Sequence, residues 1–219
     1  MATRQSEKHS ALVFLGHFNI QIFHPAWFAA QGLIQKQEAD RADNVLTTPQ
    51  FSRFQLDWLR VEVLPERFAA HGTSEPSSTN LLRDLVLGTF YLLRHTPITA
   101  MGINWEATFS MESEDAWHAL GHRLAPPEHW DGLLESPGMR TLIMEGKRSD
   151  DFRGHLQVRV EPFQRTHPWG VRVSVNDHYD FSEGGKPAIG CEEVMKILKD
   201  SMDVSIARSN RIIDHFLEV

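Results

Sequence analysis

Polar side chains with binding chemistry alternate with apolar residues along two segments late in the chain. In residues 154–163, GHLQVRVEPF, and residues 169–181, WGVRVSVNDHYDF, almost every second residue is an imidazole, amide or charged group. Such alternation predicts β-strands with one apolar and one polar face. If the two strands pair so that polar residues oppose polar residues, His155 faces His178. The two segments therefore predict a hairpin whose polar side can recognise a polar ligand or a partner.

The same register sorts the remaining residues of the hairpin on both faces. It also pairs Gln157 with Asn176, Arg159 with Ser174, Glu161 with Arg172, Val158 with Val175 and Val160 with Val173. Two further strands are predicted to add Asn104, Glu106 and Thr108, and His17, Asn19 and Gln21, to the polar side. The predicted binding residues are His17, Asn19, Asn104, Glu106, His155, Gln157, Arg159, Arg172, Asn176 and His178. The competing interpretation is a water-facing sheet side that only preserves alternation.

Three histidines offer an alternative, metal-based chemistry. His118 and His122 are four residues apart in a predicted helix, hence on one face, and His129 follows in the next loop. Two helical histidines with a third donor can bind zinc, which would make the protein a metal-assisted hydrolase. The glutamate of an HExxH helix is missing between them, and surface histidines explain the same pattern.

Nucleophilic or nucleotide-dependent catalysis has little support in the sequence. Asp177, His178 and Asp180 lie close together, but adjacent residues of a strand point to opposite faces, so Asp177 and His178 do not act as a pair. The sequence contains neither a G-x-S-x-G elbow nor a phosphate-binding glycine loop with lysine. Glu192 and Glu193 oppose thiolate formation at Cys191, which we interpret as structural. No catalytic residue and no cofactor is predicted.

Composition limits the class of protein and its partners. The 219 residues include 41% hydrophobic residues and one cysteine, which is typical of a globular protein of a reducing compartment. A net charge of −7 disfavours nucleic acid as a partner. The apolar run at residues 11–15 is too short for a signal segment or a membrane span. We therefore expect a cytoplasmic protein without a membrane partner.

These residues must be positioned by an α+β fold with a mainly antiparallel, twisted sheet and helices packed on one face. Strands are predicted at residues 12–23, 51–56, 58–64, 66–72, 98–109, 141–147, 154–163 and 169–181. Helices are predicted from Pro25, over 81–95 with a cap at Thr79 or Asn80, over 114–124 with a cap at Ser113, and over about 191–217. Residues 1–10 are predicted to be a flexible terminus, and residues 11–219 to form one domain.

The order of elements suggests that the domain consists of two similar halves, at about residues 11–96 and 97–219. The segments LVFLGHFNIQIF and ITAMGINWEATF share a glycine in fifth place and a phenylalanine in twelfth place. Their alternating faces agree only if one is shifted by a residue after the glycine, as a bulge permits. A duplicated β-α-β-β-β-α unit would give a saddle-like or helix-grip sheet. A chance match between two strands is the alternative.

The strand GINWEATF together with the later NDHYDF segment resembles a group of sporadically distributed, uncharacterised bacterial proteins. The resemblance implies a bacterial cytosolic accessory protein, encoded near multi-component systems, and brings no catalytic residues with it. Our leading hypothesis is a non-enzymatic binding or adaptor subunit that uses the polar sheet face or self-association, with a protein partner or a homo-oligomer. The alternatives are the metal-assisted hydrolase and a protein that binds a small ligand between sheet and helices.

Overall fold

The computed structural model describes residues 2–74, 78–165, 167–182 and 191–217 and confirms the α+β class. The described residues form nine strands and five α-helices. The strands are β1 (Ala2–Gly16), β2 (Asp43–Thr47), β3 (Ser52–Gln55), β4 (Leu59–Leu64), β5 (Arg67–Gly72), β6 (Ile98–Met111), β7 (Leu142–Lys147), β8 (Gly154–Pro162) and β9 (Gly170–Asp180). The helices are α1 (Pro25–Ala30), α2 (Lys36–Asp40), α3 (Ser78–Leu92), α4 (Glu114–Leu124) and α5 (Glu192–Leu217).

All nine strands belong to one antiparallel sheet, in the order β2-β3-β4-β5-β1-β6-β9-β8-β7. The pair β1–β6 lies at its centre. In each half the next strand, β2 or β7, lies at the edge of the sheet, and the later strands return toward the centre until β5 pairs with β1 and β9 with β6. Each half begins with its central strand, continues with helix and strands, and ends with a long helix. The long central pair therefore joins the two halves into one sheet.

The helices cover one face of the sheet because their apolar stripes pack on alternate strand residues. In α3, Leu82, Val86 and Phe90 are buried at helical spacing against Phe14 of β1. The predicted bounds of α4 are confirmed, and its N-terminus is capped as predicted, since Ser113 Oγ accepts a hydrogen bond from the Ala116 amide at 3.2 Å. Within the described residues, no helix has the length and apolar content needed to cross a membrane.

The prediction for the beginning of the chain is wrong in two ways. β1 starts at Ala2, so the predicted flexible terminus pairs with β6 instead, although Met1 lies outside the described residues. The predicted strand over residues 12–23 ends at Gly16, and Ile20–Ile22 forms a 3₁₀ turn. The alternation that suggested a strand arises because Phe18 and other apolar residues after Gly16 pack into the core from a loop.

The sequence match between the halves does not correspond to equivalent positions. Gly16 ends β1, where a Cβ atom would overlap the Pro97 carbonyl oxygen. Gly102 lies inside β6, beneath the side chain of Asn176. At each glycine a different neighbour approaches the backbone closely, so the two positions are not equivalent. The common origin of the halves remains a prediction.

Candidate functional site

The face of the sheet opposite the helices, which we call the open face, carries the polar residues of the predicted hairpin. The register of β8 and β9 is the predicted one at every pair, from His155 opposite His178 to Glu161 opposite Arg172. β6 joins β9 with Asn104 opposite Asn176. Because side chains of paired residues lie on the same side, one polar layer extends across three strands.

Six of the predicted binding residues line a groove of about 300 Å³ on this layer, which we call the polar groove. They are Asn104, Glu106, Gln157, Arg159, Arg172 and Asn176. His155 and His178 lie one pair farther along β8 and β9, on the same face. The structure therefore brings eight of the ten predicted residues onto one surface.

Charges in the polar groove are arranged as a network. Arg172 Nε donates a hydrogen bond to Glu161 Oε1 at 2.8 Å, and an Arg172 guanidinium nitrogen lies 3.9 Å from Glu106 Oε1. Ser174 Oγ donates to Glu106 Oε2 at 2.9 Å, and Arg159 lies 3.8 Å from Glu161. Each partly exposed pair contributes little stability by itself, but together they fix the directions of donors and acceptors on the surface.

His155 and His178 stack across the strands, with ring centroids 4.6 Å apart and ring planes inclined by 28°. Burial, followed by the neighbouring His155, lowers the pKa of His178. A neutral imidazole has one donor and one acceptor nitrogen, so His178 can offer a ligand either kind of hydrogen bond.

A larger groove of about 700 Å³, which we call the central groove, crosses the open face over β4, β5, β1, β6 and β9. The small residues Ala11 and Val13 of β1 lie on its floor, and the longer side chains Arg60, Arg67 and His71 line it on one side. Small residues in the middle of a sheet, flanked by long ones, leave a depression along the strand. The sequence analysis missed this groove because its floor is apolar.

Among the buried polar atoms that make no hydrogen bond to any described residue, His71 Nε2 and Asn176 Oδ1 belong to strands of the open face. Burial, and next the positive charge of Arg60, lower the pKa of His71 to about 4. The imidazole is therefore neutral near pH 7, and its tautomer decides whether Nε2 donates or accepts. An unpaired buried polar atom costs about 1–3 kcal/mol, so each atom gains if a ligand supplies the missing partner.

His17 and Asn19 do not belong to the open face, which corrects the prediction. Both follow the end of β1 and are exposed. β1 instead contributes Glu7 and His9, with His9 opposite Glu106. The sequence analysis missed His9 because it assigned residues 1–10 to a flexible terminus. His9 lies an even number of positions before Ala11 and Val13, so a strand that began earlier would have placed all three on one face.

The alternative metal site is not assembled. His118 and His122 are neighbours on α4, with ring centroids 6.0 Å apart, and His129 lies in a separate 3₁₀ turn, Pro127–Trp130. All three are exposed. In the part of the chain that the structure describes, no group of three or more histidine, cysteine, aspartate or glutamate residues is arranged to hold a metal ion.

Asp177 and His178 point to opposite faces, as the alternation predicts. Asp177 is fully buried on the helix-covered face, where it pairs with Arg148 and lies 3.5 Å from Arg208. Cys191 is buried too, and burial, with the charge of Glu192, raises its thiol pKa to about 11. A thiol with this pKa is protonated at neutral pH, in agreement with a structural role.

Fold and site together define an α+β protein whose antiparallel sheet has one helix-covered and one open, polar face. No protein-family model matches the sequence, and the comparison with curated proteins gives no match.

Proposed function

We propose that this protein is a non-enzymatic binding protein, an adaptor subunit of a protein assembly, which holds an extended segment of a partner protein on its open face. The observation that supports this proposal best is the central groove of about 700 Å³ across the open face. The groove is lined by strands of both halves, so a bound segment would contact most of the sheet's centre.

The chemistry of the groove suits a polypeptide. Extended chain presents one N–H donor and one C=O acceptor per residue at regular spacing. Such groups can satisfy His71 Nε2 in the central groove and Asn176 Oδ1 in the adjoining polar groove, since both atoms lack partners among the described residues. A bound partner segment would thus remove the free-energy cost of these unpaired polar atoms as well as add contacts.

Charge indicates which partner segment fits best. Arg67 lines the central groove and makes no ion pair with any described residue, whereas Arg172 is paired with two glutamates. A carboxylate on the partner can therefore bind Arg67 with a charge-assisted hydrogen bond. We expect the segment to carry an aspartate or glutamate next to residues small enough to lie over Ala11 and Val13.

The proposal is tested by placing a bulky charged side chain on the groove floor. Ala11 is half-buried between His71 and Asn104, so Ala11→Arg fills the groove. The tagged protein is purified gently from its host, a stoichiometric partner chain is identified by native mass spectrometry, and its affinity is measured by calorimetry. We expect Ala11→Arg to weaken binding at least about tenfold, a loss of roughly 1.4 kcal/mol.

Ala119→Arg is the matched control, because Ala119 is exposed on α4 and lies away from the open face. Arg67→Glu, with Arg123→Glu on α4 as its control, tests the charge without filling the groove. Full affinity in both groove variants, with native circular dichroism, would reject the open face as the binding surface. The absence of a stoichiometric partner chain would reject the adaptor function itself.

A further inference from the structure

A second concave site lies on the other side of the sheet, between α4 and the ends of β8 and β9. It has a volume of about 180 Å³, and we call it the α4 cleft. Its apolar lining is formed by Trp117, Leu120, Met139, Val160, Pro162 and Val171. A small cavity with this lining favours an apolar molecule, since transfer of apolar surface out of water is favourable.

Two glycines in the wall of the α4 cleft keep it open. A Cβ atom built on Gly121 or on Gly138 would meet no other atom within 4 Å. Packing therefore does not require glycine at either position. Gly121 lies inside α4, where glycine lowers helix stability relative to alanine. The chain gives up this helix stability at a position where a side chain would narrow the cleft.

One wall of the cleft is a tryptophan ring held in a fixed orientation. Trp117 Nε1 donates a hydrogen bond to the Gly170 carbonyl oxygen at 3.1 Å, and its ring centroid lies 6.1 Å from that of Trp169. A ring that is already fixed loses little conformational entropy when a ligand packs against it. Aromatic ligands gain additionally from offset or edge-to-face contact with such a ring.

Polar groups line the same cleft at one side. The polar lining residues are His118 and His122, whose ring centroids lie 6.0 Å apart, and Glu161, whose carboxylate accepts a hydrogen bond from Arg172. His118 Nε2 also lies 3.8 Å from the exposed carboxylate of Glu114, which a bound acceptor would have to displace. In the neutral or the protonated state, an imidazole has at least one N–H donor. The pair can therefore bind an oxygen acceptor attached to a molecule whose apolar part lies deeper, against Val160 and Leu120.

We propose that the α4 cleft binds a small planar aromatic molecule with an oxygen acceptor, such as a carboxylate or phenol, which His118 and His122 hydrogen-bond. The volume fits one ring with a short substituent, because an apolar cavity of roughly 150 Å³ holds benzene. The cleft lies on the helix-covered face, so this ligand site is separate from the proposed partner surface on the open face. Binding at either site can be tested without the other.

Benzoate, titrated into the isotopically labelled protein, is the first probe. The readout is the Trp117 indole N–H resonance, assigned with Trp117→Phe, and we expect a saturable shift. Gly121→Leu should weaken the affinity at least about tenfold, because the side chain occupies the cleft. Ala119→Leu is the matched control, since this exposed neighbour on α4 does not line the cleft, and it should bind as the wild type does.

Gly121→Ala should change thermal stability and benzoate affinity in opposite directions. Its melting temperature should rise, because alanine favours the helix, while benzoate affinity falls. The double variant His118→Ala/His122→Ala should lose benzoate affinity but keep affinity for toluene, which has no acceptor. A Trp117 resonance that benzoate does not shift, or equal affinity in the folded Gly121→Leu variant, would overturn the site. Equal benzoate affinity in the double histidine variant would overturn the role of the imidazoles.

Discussion

The two halves of the sheet have corresponding strand arrangements but differently built cores. In the first half, phenylalanines fill the layer between sheet and helices: Phe90 lies 4.8 Å from Phe14 and 5.1 Å from Phe68, measured between ring centroids. In the second half, the corresponding layer combines valines of β9, such as Val173 and Val175, with fewer aromatic rings, among them Trp105 and Phe109 of β6. The first core is therefore stabilised mainly by apolar burial and aromatic contact.

The second half also contains buried charges, which pack beside its aromatic residues. Arg148, from the loop after β7, pairs with Asp150 and with the fully buried Asp177 of β9. Arg208 of α5 approaches both carboxylates, and the Arg148 guanidinium lies 3.8 Å from the centroid of the Tyr179 ring. We call these residues the ionic cluster. It ties a loop, a strand and a helix together by directional contacts, which apolar packing does not provide.

The largest effect should follow from breaking the ionic cluster at Asp177. Asp177→Ala removes one of the two carboxylates that pair with the buried Arg148, and breaking a buried pair in this way costs roughly 3–5 kcal/mol. Urea denaturation followed by circular dichroism measures the loss of unfolding free energy. Asp180→Ala is the matched control, since Asp180 is partly exposed, lies 3.4 Å from Arg153 and should cost no more than about 1 kcal/mol.

Phe68→Ala tests the aromatic core of the first half in the same way that Asp177→Ala tests the ionic cluster of the second. Removing a buried phenylalanine also costs about 3–5 kcal/mol, through lost transfer energy and the cavity that remains. Phe68→Leu should recover much of the lost stability, because leucine restores most of the apolar volume. Asp177→Asn should recover less, because asparagine keeps the shape of the side chain but not its charge. If Asp177→Asn were as stable as the wild type, shape and hydrogen bonding rather than charge would hold the cluster.

The second half was predicted well because the alternation of polar and apolar residues in its sequence determines how β8 pairs with β9. Within β8 and β9, polar residues alternate with apolar ones except at Asp177, so only one pairing of the two strands sorts both faces. Strong local signals, such as Ser113 before α4, likewise gave correct helix bounds. The polar groove followed from this register.

The first half was predicted less well because its signals are ambiguous. β2 has only exposed residues, so no alternation marks it, and α2 has five residues without a buried side chain. Phe18 and Ile20 alternate with polar residues but lie in a loop and a 3₁₀ turn. The ionic cluster was missed for another reason: Asp177 and Arg148 are 29 residues apart in the chain, and only the fold brings them together.

The halves should also respond to acid in different pH ranges, and His71 sets the range of the first half. An unfolded imidazole has a pKa of about 6.5, and the folded value is about 4. Between these values the unfolded state binds more protons, so this contribution to stability is complete above about pH 6.5 and declines as the pH falls. We expect a loss of about 2 kcal/mol between pH 7 and pH 5.

His71→Gln should remove this loss, as measured by urea unfolding at pH 7 and pH 5. Between pH 7 and pH 8 the difference between His71→Gln and the wild type should stay constant, which serves as the internal control. If the wild type and His71→Gln lost equal stability from pH 7 to pH 5, the titrating group would lie elsewhere. His178, whose pKa is also lowered, would then be the next residue to substitute.

Asp150 should determine the smaller, more acidic response of the second half. The hydrogen bond from Arg148 lowers the pKa of Asp150 below its usual value. For a carboxylate with a lowered pKa, the stability contribution is complete above about pH 4 and is lost as the pH falls through the folded-state pKa. Asp150→Asn should therefore be roughly 1 kcal/mol less stable than the wild type at pH 7, a small value because Asp150 is partly exposed.

The gap between wild type and Asp150→Asn should close below about pH 4, whereas the gap between wild type and Phe68→Ala should persist there. Urea midpoints of the three proteins at neutral and acid pH measure both differences. A gap for Asp150→Asn that persists at low pH would mean that the loop after β7 is held by packing, as the first half is. If the stability gap of Asp150→Asn closes at low pH, the two halves are stabilised by different interactions, since only the core of the second half would depend on charged carboxylates.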